Sequence, residues 1–240
     1  MAVEVLEQLY EGKAKKVFKT SDDALYMVEY KDDATAFNGE KRGTIEGKGV
    51  INNKMSAMLF KELEKQGIET HLVEFVDDTH QLVKRVEIVP LEVIARNVIA
   101  GSLSKRVGRP EGEVLPQPIL EFSYKNDDLG DPMINRFHAT ALGLATDEEI
   151  DNIIAQALTI NELLQAIFDK ANLVLVDFKL EFGRTPDGKI ILADEISPDT
   201  CRLWDKDTHE KLDKDRFRRD LGGVEEAYIE VYNRLKNIGL

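Results

Sequence analysis

The sequence predicts an α+β protein of two lobes, a mostly antiparallel-sheet N-terminal lobe (residues 1–87) and a mixed α/β C-terminal lobe (residues 88–240), with a ligand cleft between them. Three observations carry that prediction. Through residue 87, apolar side chains alternate with polar ones between glycine and acidic turns, the pattern of strands, with one helix inserted. Beyond residue 146, two segments repeat apolar side chains at helical spacing. Between those segments, LVDFKLEFG and ILADEISPDTCRLWD read as strands placed back to back, and the first alternates ionisable with apolar residues.

In chain order, LYEGKAKKVFKT reads as strand, glycine turn and strand. ALYMVEYKDD opens a second hairpin, with Tyr26, Val28 and Tyr30 alternating against Leu25, Met27 and Glu29. TAFNGEKRGTIEGKG carries its glycines among charges and reads as a long loop, of the kind that serves as lid or binding loop. From Asn53 to Gln66, Met55, Met58, Leu59 and Leu63 recur at helical spacing, with Gly67 as a C-terminal cap. The β-branched runs that follow read as further sheet, turning at Asp77 and Asp78, and Pro90 marks the passage to the second lobe. Ser102 stands where it would cap a short helix through Leu103, Lys105, Arg106 and Val107. Thr146 and Glu149 form a capping box for a long helix whose core side is Ile150, Ile153, Ile154, Ala157, Leu158, Leu164, Ile167 and Phe168. A last helix is marked by Val224, Ala227, Tyr228, Val231, Leu235 and Ile238.

The hairpin after the long helix is where chemistry is expected. Val176, Phe178, Leu180 and Phe182 share one face of its first strand and Asp177, Lys179 and Glu181 the other. With the turn centred on Pro186 and Asp187, Lys179 lies opposite Asp194 and Glu181 is its diagonal neighbour. Glu181 and Asp194 could then share a divalent cation, and two carboxylates completed by phosphate oxygens and water suit Mg²⁺. A slip of one residue would turn Asp194 to the apolar face. A solvated charged face is the plainer reading of such a strand. Against it stands the run Ser197 to Asp205, which sets a turn, Arg202 and the single tryptophan directly after the second carboxylate.

Composition limits the functions to consider. The net charge of −13 argues against nucleic-acid binding, and no apolar run is long enough to span a bilayer. No secretory signal is visible, and the single cysteine, Cys201, fits a reducing compartment, so the cytosol is expected. Cys201 reads as a structural or substrate-lining thiol, and His71, His80, His138 and His209 lack metal-ligand spacing. Three local cationic clusters stand out in this acidic chain: Lys13, Lys15 and Lys16; Arg96 with Lys105, Arg106 and Arg109; and Arg202 beside Trp204. Together they suggest small phosphorylated ligands.

Gly12, Lys13, Ala14 and Lys15 read alone as an ordinary basic hairpin turn, but paired with a Glu and Asp metal site they become half of an ATP clamp. Ala100, Gly101 and Ser102, with Arg96 upstream, form either a plain capped helix or a phosphomonoester site. Lys125, Asp127, Asp128 and Asp131 mix charges as a zwitterionic amino acid requires, or form an acidic turn.

LYEGKAKKVF, VPLEVIARNVIAGSLSKR, KNDDLGDPMIN, LVDFKLEFG and DEISPDTCRLWD, in that order and spacing, resemble the SAICAR synthetase family over nearly the whole chain. The resemblance implies a two-lobed fold, kinase-like in outline, with the ATP cleft between the lobes. It implies a ligase of de novo purine biosynthesis that joins L-aspartate to carboxyaminoimidazole ribotide (CAIR) while ATP goes to ADP and phosphate. On this chain it implies that Gly12, Lys13, Ala14 and Lys15 cover the ATP phosphates and that Lys84, Arg85, Val86, Glu87 and Ile88 lie against adenine. Glu181 and Asp194 would hold Mg²⁺, Arg96, Ser102 and Arg202 the ribotide phosphate, and Lys125 and Asp131 aspartate. Lys179 and Asp177 would stand near the reacting carboxylate, and a homodimer is implied as well. Ala193, where glycine is expected, and Thr200 with Cys201, in place of a smaller pair, depart from the family pattern without removing a charge. Two rivals remain at this point: a small-molecule kinase using the same cleft, and a silent nucleotide-binding regulator.

Overall fold

A computed structural model describes residues 3–36 and 39–240. β1 (Val5–Glu11) and β2 (Lys15–Thr20) form the first hairpin, followed by β3 (Leu25–Tyr30). The segment expected to be a long loop instead contains a two-stranded ribbon, β4 (Asp33–Ala36) and β5 (Lys41–Thr44). Phe37 and Asn38 of that segment lie outside the described residues. Distant contacts hold the ribbon: Lys41 donates to the Phe217 carbonyl and to Asp220, both at 2.6 Å, and the Phe217 ring packs on the bare Cα of Gly43.

α1 (Lys48–Lys65) begins earlier than its apolar spacing indicates and ends where expected, with Gly67 in the left-handed region. β6 (Leu72–Phe75) and β7 (His80–Lys84) complete a five-stranded antiparallel sheet in the order β1-β2-β3-β7-β6.

The second sheet uses β8 (Glu87–Ile88) and β9 (Leu91–Val98), and after α2 (Gly101–Val107) come β10 (Val114–Tyr124), a 3-10 turn at Asp127–Leu129 and β11 (Met133–Ile134). α3 (Arg136–Ala141) and α4 (Asp147–Lys170) lead into β12 (Leu173–Arg184), β13 (Ile190–Ala193) and β14 (Cys201–Asp205), and α5 (Asp215–Arg218) and α6 (Val224–Asn237) follow. β12 is the spine of this sheet, pairing antiparallel with β9 and β8 and with β14 and β13. At the start of the second sheet the backbones close in: the Val86 side chain occupies the space a Cβ on Gly183 would fill, so β12 needs glycine there.

Local signals decide several elements as expected, and three details differ. The capping box of α4 is formed, Glu149 N–H donating to Thr146 Oγ1 at 3.2 Å and Thr146 N–H to Glu149 Oε2 at 2.9 Å. On that helix Ile160 rather than Leu158 continues the buried stripe Ile153, Ala157, Leu164 and Phe168, and Leu158 faces solvent. Ser102 does not cap α2; Ala100 holds the extended cap position, and Ser102 lies inside the first turn. A bulge between Leu175 and Asp177 turns Val176 away from Phe178. Leu173, Leu175, Phe178, Leu180 and Phe182 join the main core, while Val176 packs with Val98, Ala100 and Trp204 on the opposite side. The main core is continuous from α1 through α4 and β12 to α6. Among the described residues no helix is long and apolar enough to cross a membrane.

Candidate active site

β12 carries the centre of the site. Past the bulge, Asp177, Lys179 and Glu181 line a cleft of about 610 Å³. The β12–β13 register pairs Glu181 with Ala193 and Arg184 with Ile190, one residue off the pairing expected from a turn centred on Pro186 and Asp187. Asp194 nevertheless reaches the cleft, because it lies just past β13 with φ +60°, a left-handed conformation that aspartate tolerates better than most residues. Its carboxylate meets Lys15 and lies 3.3 Å from Lys179 Nζ. Backbone conformation, not cross-strand pairing, thus brings the two carboxylates together.

Lys179 bridges them. Its ammonium lies 2.6 Å from Glu181 Oε1, 3.3 Å from Asp194 Oδ2 and 3.4 Å from Glu92 Oε1, and Lys125 Nζ reaches the same Glu181 oxygen at 3.1 Å. Burial opposes the charge on Lys179, but Glu181, Asp194 and Glu92 outweigh it and hold the ammonium protonated well above the ordinary lysine range. Burial likewise opposes the Asp194 charge, yet Lys15 and Lys179 keep that carboxyl far below the usual range. Lys15, over the Tyr30 ring, stands between Asp194 and Glu195, whose buried Oε2 has no hydrogen-bond donor among the described residues. Burial lifts the Glu195 carboxyl above its ordinary value.

The other end of the cleft is built of arginines held by carboxylates. Arg96 donates to Asp177 at 2.8 Å, to Glu121 at 2.7 Å and to Ser102 Oγ at 3.3 Å. Arg202 donates through Nη1 to both oxygens of Asp177, at 2.8 and 3.1 Å, and through Nε to Asp215 at 2.9 Å. Arg218 reaches the second Asp215 oxygen at 2.7 Å. The Arg202 guanidinium lies against Gly101 (φ +54°), where a Cβ would stand 2.5 Å from Nη2. Nearby, Asp199 accepts from buried Lys48 at 2.8 Å and from the Tyr228 hydroxyl at 2.6 Å, and Lys214 Nζ lies 3.6 Å away.

Most of the residues singled out from the sequence converge here. Gly12, Lys13, Ala14 and Lys15 line the cleft, although Lys13 is paired with Asp127 at 2.6 Å. Lys84, Val86 and Ile88 line it, while Arg85 and Glu87 do not: Arg85 lies over the Tyr26 ring and Glu87 pairs with Arg184. Lys125 and Asp131 line it, Asp131 also accepting the Asn126 amide at 2.9 Å to close its turn. Ser102 touches the cleft only through Arg96, and Arg109 pairs with Glu113 outside it. Cys201 lines the cleft as a buried thiol that burial pushes upward, inert as a nucleophile. Sequence reasoning missed Glu195, Asp199, Lys214, Arg218 and His71, all of which line the cleft. Glu195 and Asp199 were readable as neighbours of Asp194, and KLDKDRFRRD carries Lys214 and Arg218 in an obvious basic run; nothing local marks His71.

The sequence profile of the SAICAR synthetase family matches residues 8–235. The chain belongs to the SAICAR synthetase family. A phosphoribosylaminoimidazole-succinocarboxamide synthase of Lachnoclostridium phytofermentans is 65% identical over 96% of this chain and 97% of its own length. The crystal structure of the synthase from Ehrlichia chaffeensis superposes with a TM-score of 0.94 at 45% identity, covering 96% of this chain and 98% of that one. A SAICAR synthetase in complex with ADP superposes with a TM-score of 0.93 at 51% identity over 96% of this chain and 98% of its own. As a SAICAR synthetase this chain is an ATP-dependent ligase of purine biosynthesis, and the kinase and silent-regulator readings fall away.

Proposed function

We propose that this synthetase joins L-aspartate to CAIR by dividing its cleft into a nucleotide end and a ribotide end, with the reacting carboxylate between them. The observation that carries the reading is the polarity of the cleft: Lys15, Lys179, Glu181 and Asp194 gather at one end, and Arg96, Arg202 and Arg218 at the other. ATP lies beneath the β1–β2 turn, its base toward Val86 and Ile88 and its phosphates toward Lys15. Glu181 and Asp194 suit Mg²⁺, because two hard carboxylates already converge on one cationic point, the Lys179 ammonium, at 2.6 and 3.3 Å. Mg²⁺ there supplies charge neutralisation for the transferring phosphoryl group. Arg96 and Arg202, with Ser102 steadying Arg96, take the ribotide phosphate, and Lys125 and Asp131 take the ends of aspartate.

The chemistry follows from what carboxylates can do. A carboxylate is a poor acyl donor, so its oxygen first takes the γ-phosphoryl group and ADP leaves. The aspartate amine then attacks the acyl carbon, phosphate departs with the C–O electron pair, and the amine sheds a proton. Lys179 acts as an electrostatic partner for the phosphoryl oxygens. Asp177, engaged by two arginines, orients them.

Phosphate release from Mg·ATP is expected only when CAIR and L-aspartate are both present, with ¹⁸O from the CAIR carboxylate recovered in the phosphate. Turnover without aspartate, or phosphate free of the label, would refute this route.

A further inference from the structure

Glu111 has no part in the assignments above, yet it completes a ring of contacts around the arginine end of the cleft. It stands in the loop between α2 and β10. Its Oε1 accepts the Gly101 amide at 2.8 Å and Arg219 Nη2 at 2.5 Å, its Oε2 accepts Arg219 Nη1 at 3.1 Å, and Lys211 Nζ lies 3.7 Å away. Arg219 also lies 3.6 Å from Asp215 Oδ2, the oxygen that accepts the Arg202 Nε–H at 2.9 Å. Arg202 in turn rests on Gly101. The circuit Gly101, Glu111, Arg219, Asp215 and Arg202 therefore closes on itself. Hydrogen bonding from Arg219 pulls the Glu111 carboxyl down to about 2, so its charge is present throughout the neutral range.

We propose that Glu111 is a positioning residue for the phosphorylated substrate: through Gly101 and Arg219 it fixes where the Arg202 guanidinium stands. The proposal rests on the assignment of Arg202 to the ribotide phosphate. A long arginine side chain loses rotamer freedom when it binds, and one already held in its bound geometry loses less. A purely electrostatic role has the opposite sign, since deleting a negative charge beside a phosphate site would tighten phosphate binding. The two roles are therefore separable by experiment.

The test compares kcat and the three substrate KM values in the wild type, Glu111→Ala, Glu111→Gln, Arg219→Ala and Arg202→Lys. In Glu111→Ala the CAIR KM is expected to rise about tenfold, while kcat and the KM values for ATP and aspartate stay within about twofold. Glu111→Gln keeps an oxygen for the Gly101 amide and should lie between Glu111→Ala and wild type. Arg219→Ala, altering an exposed residue, should raise the CAIR KM alone and carries the test if Glu111→Ala fails to fold. An unchanged or lowered CAIR KM in Glu111→Ala, with Arg202→Lys still raising it, overturns the role of Glu111 alone. Equal losses for all three substrates also overturn it, marking a structural residue. A CAIR KM indifferent to Arg202→Lys removes the phosphate assignment itself.

Discussion

Asp194 and Gly101 show how much of the site depends on single backbone angles. At φ +60° Asp194 sends its carboxylate to Lys15 and Lys179, a job its strand register would have denied it. Asp194→Asn keeps the shape and removes the charge, leaving two lysines short of a partner; turnover is expected to fall by roughly 10²-fold or more with the circular dichroism unchanged. Gly101, at φ +54°, faces both a conformational and a steric limit. Gly101→Ala should lose about 1–2 kcal/mol from the left-handed backbone and should raise the CAIR KM by displacing Arg202, measured by urea unfolding and by initial rates. Both residues were legible as candidates, Asp194 from its charge and Gly101 from its place before a helix. Their backbone angles were not, because those are decided by what each residue meets in the folded chain.

Among the elements, α4 is held by means that can be read from a few consecutive letters. Its capping box satisfies two end groups, and Arg184 fastens the same Glu149 from β12 at 2.5 and 2.9 Å. Thr146→Ala is expected to cost about 1 kcal/mol in urea unfolding without moving any substrate KM. Helices α1, α2, α4 and α6 and the β1–β2 hairpin were legible for the same reason, since spacing and turn residues act over a few positions, whereas α3 and α5 were not read. The bulge at Val176, the one-residue shift opposite β13 and the β4–β5 ribbon were not. The first two depend on how β12 meets β14 and β13, and the ribbon depends on Lys41 and Gly43 finding Phe217 and Asp220 far along the chain. Arg218 and Lys214 went unassigned likewise, as only Asp215 and Asp199 bring them to the cleft.

Over the whole molecule, local cations and carboxylates line the proposed catalytic cleft inside a chain of net charge −13, and acid should loosen the fold in a defined window. Burial, with Lys15 nearby, pulls His71 down from 6.5 to about 4, so the folded protein binds fewer protons than the unfolded chain between those values. The stability this contributes is complete above pH 6.5 and is lost as the pH falls through about 4. Replacing His71 with Phe should make the decline in urea midpoint across that window shallower; an identical decline would show that His71 is not its source. The contact between Tyr228 and Asp199 sets a condition of another kind, on timing. Asp199 lines the cleft with one oxygen held by Lys48, but the hydroxyl that meets its Oδ1 is supplied by α6, so a ribosome that has completed every other wall of the site still carries one with this carboxylate half fastened. Catalytic competence should therefore arrive in a single late step of synthesis, and stalled chains ending before and after α6 would show it as a jump in activity rather than a slope.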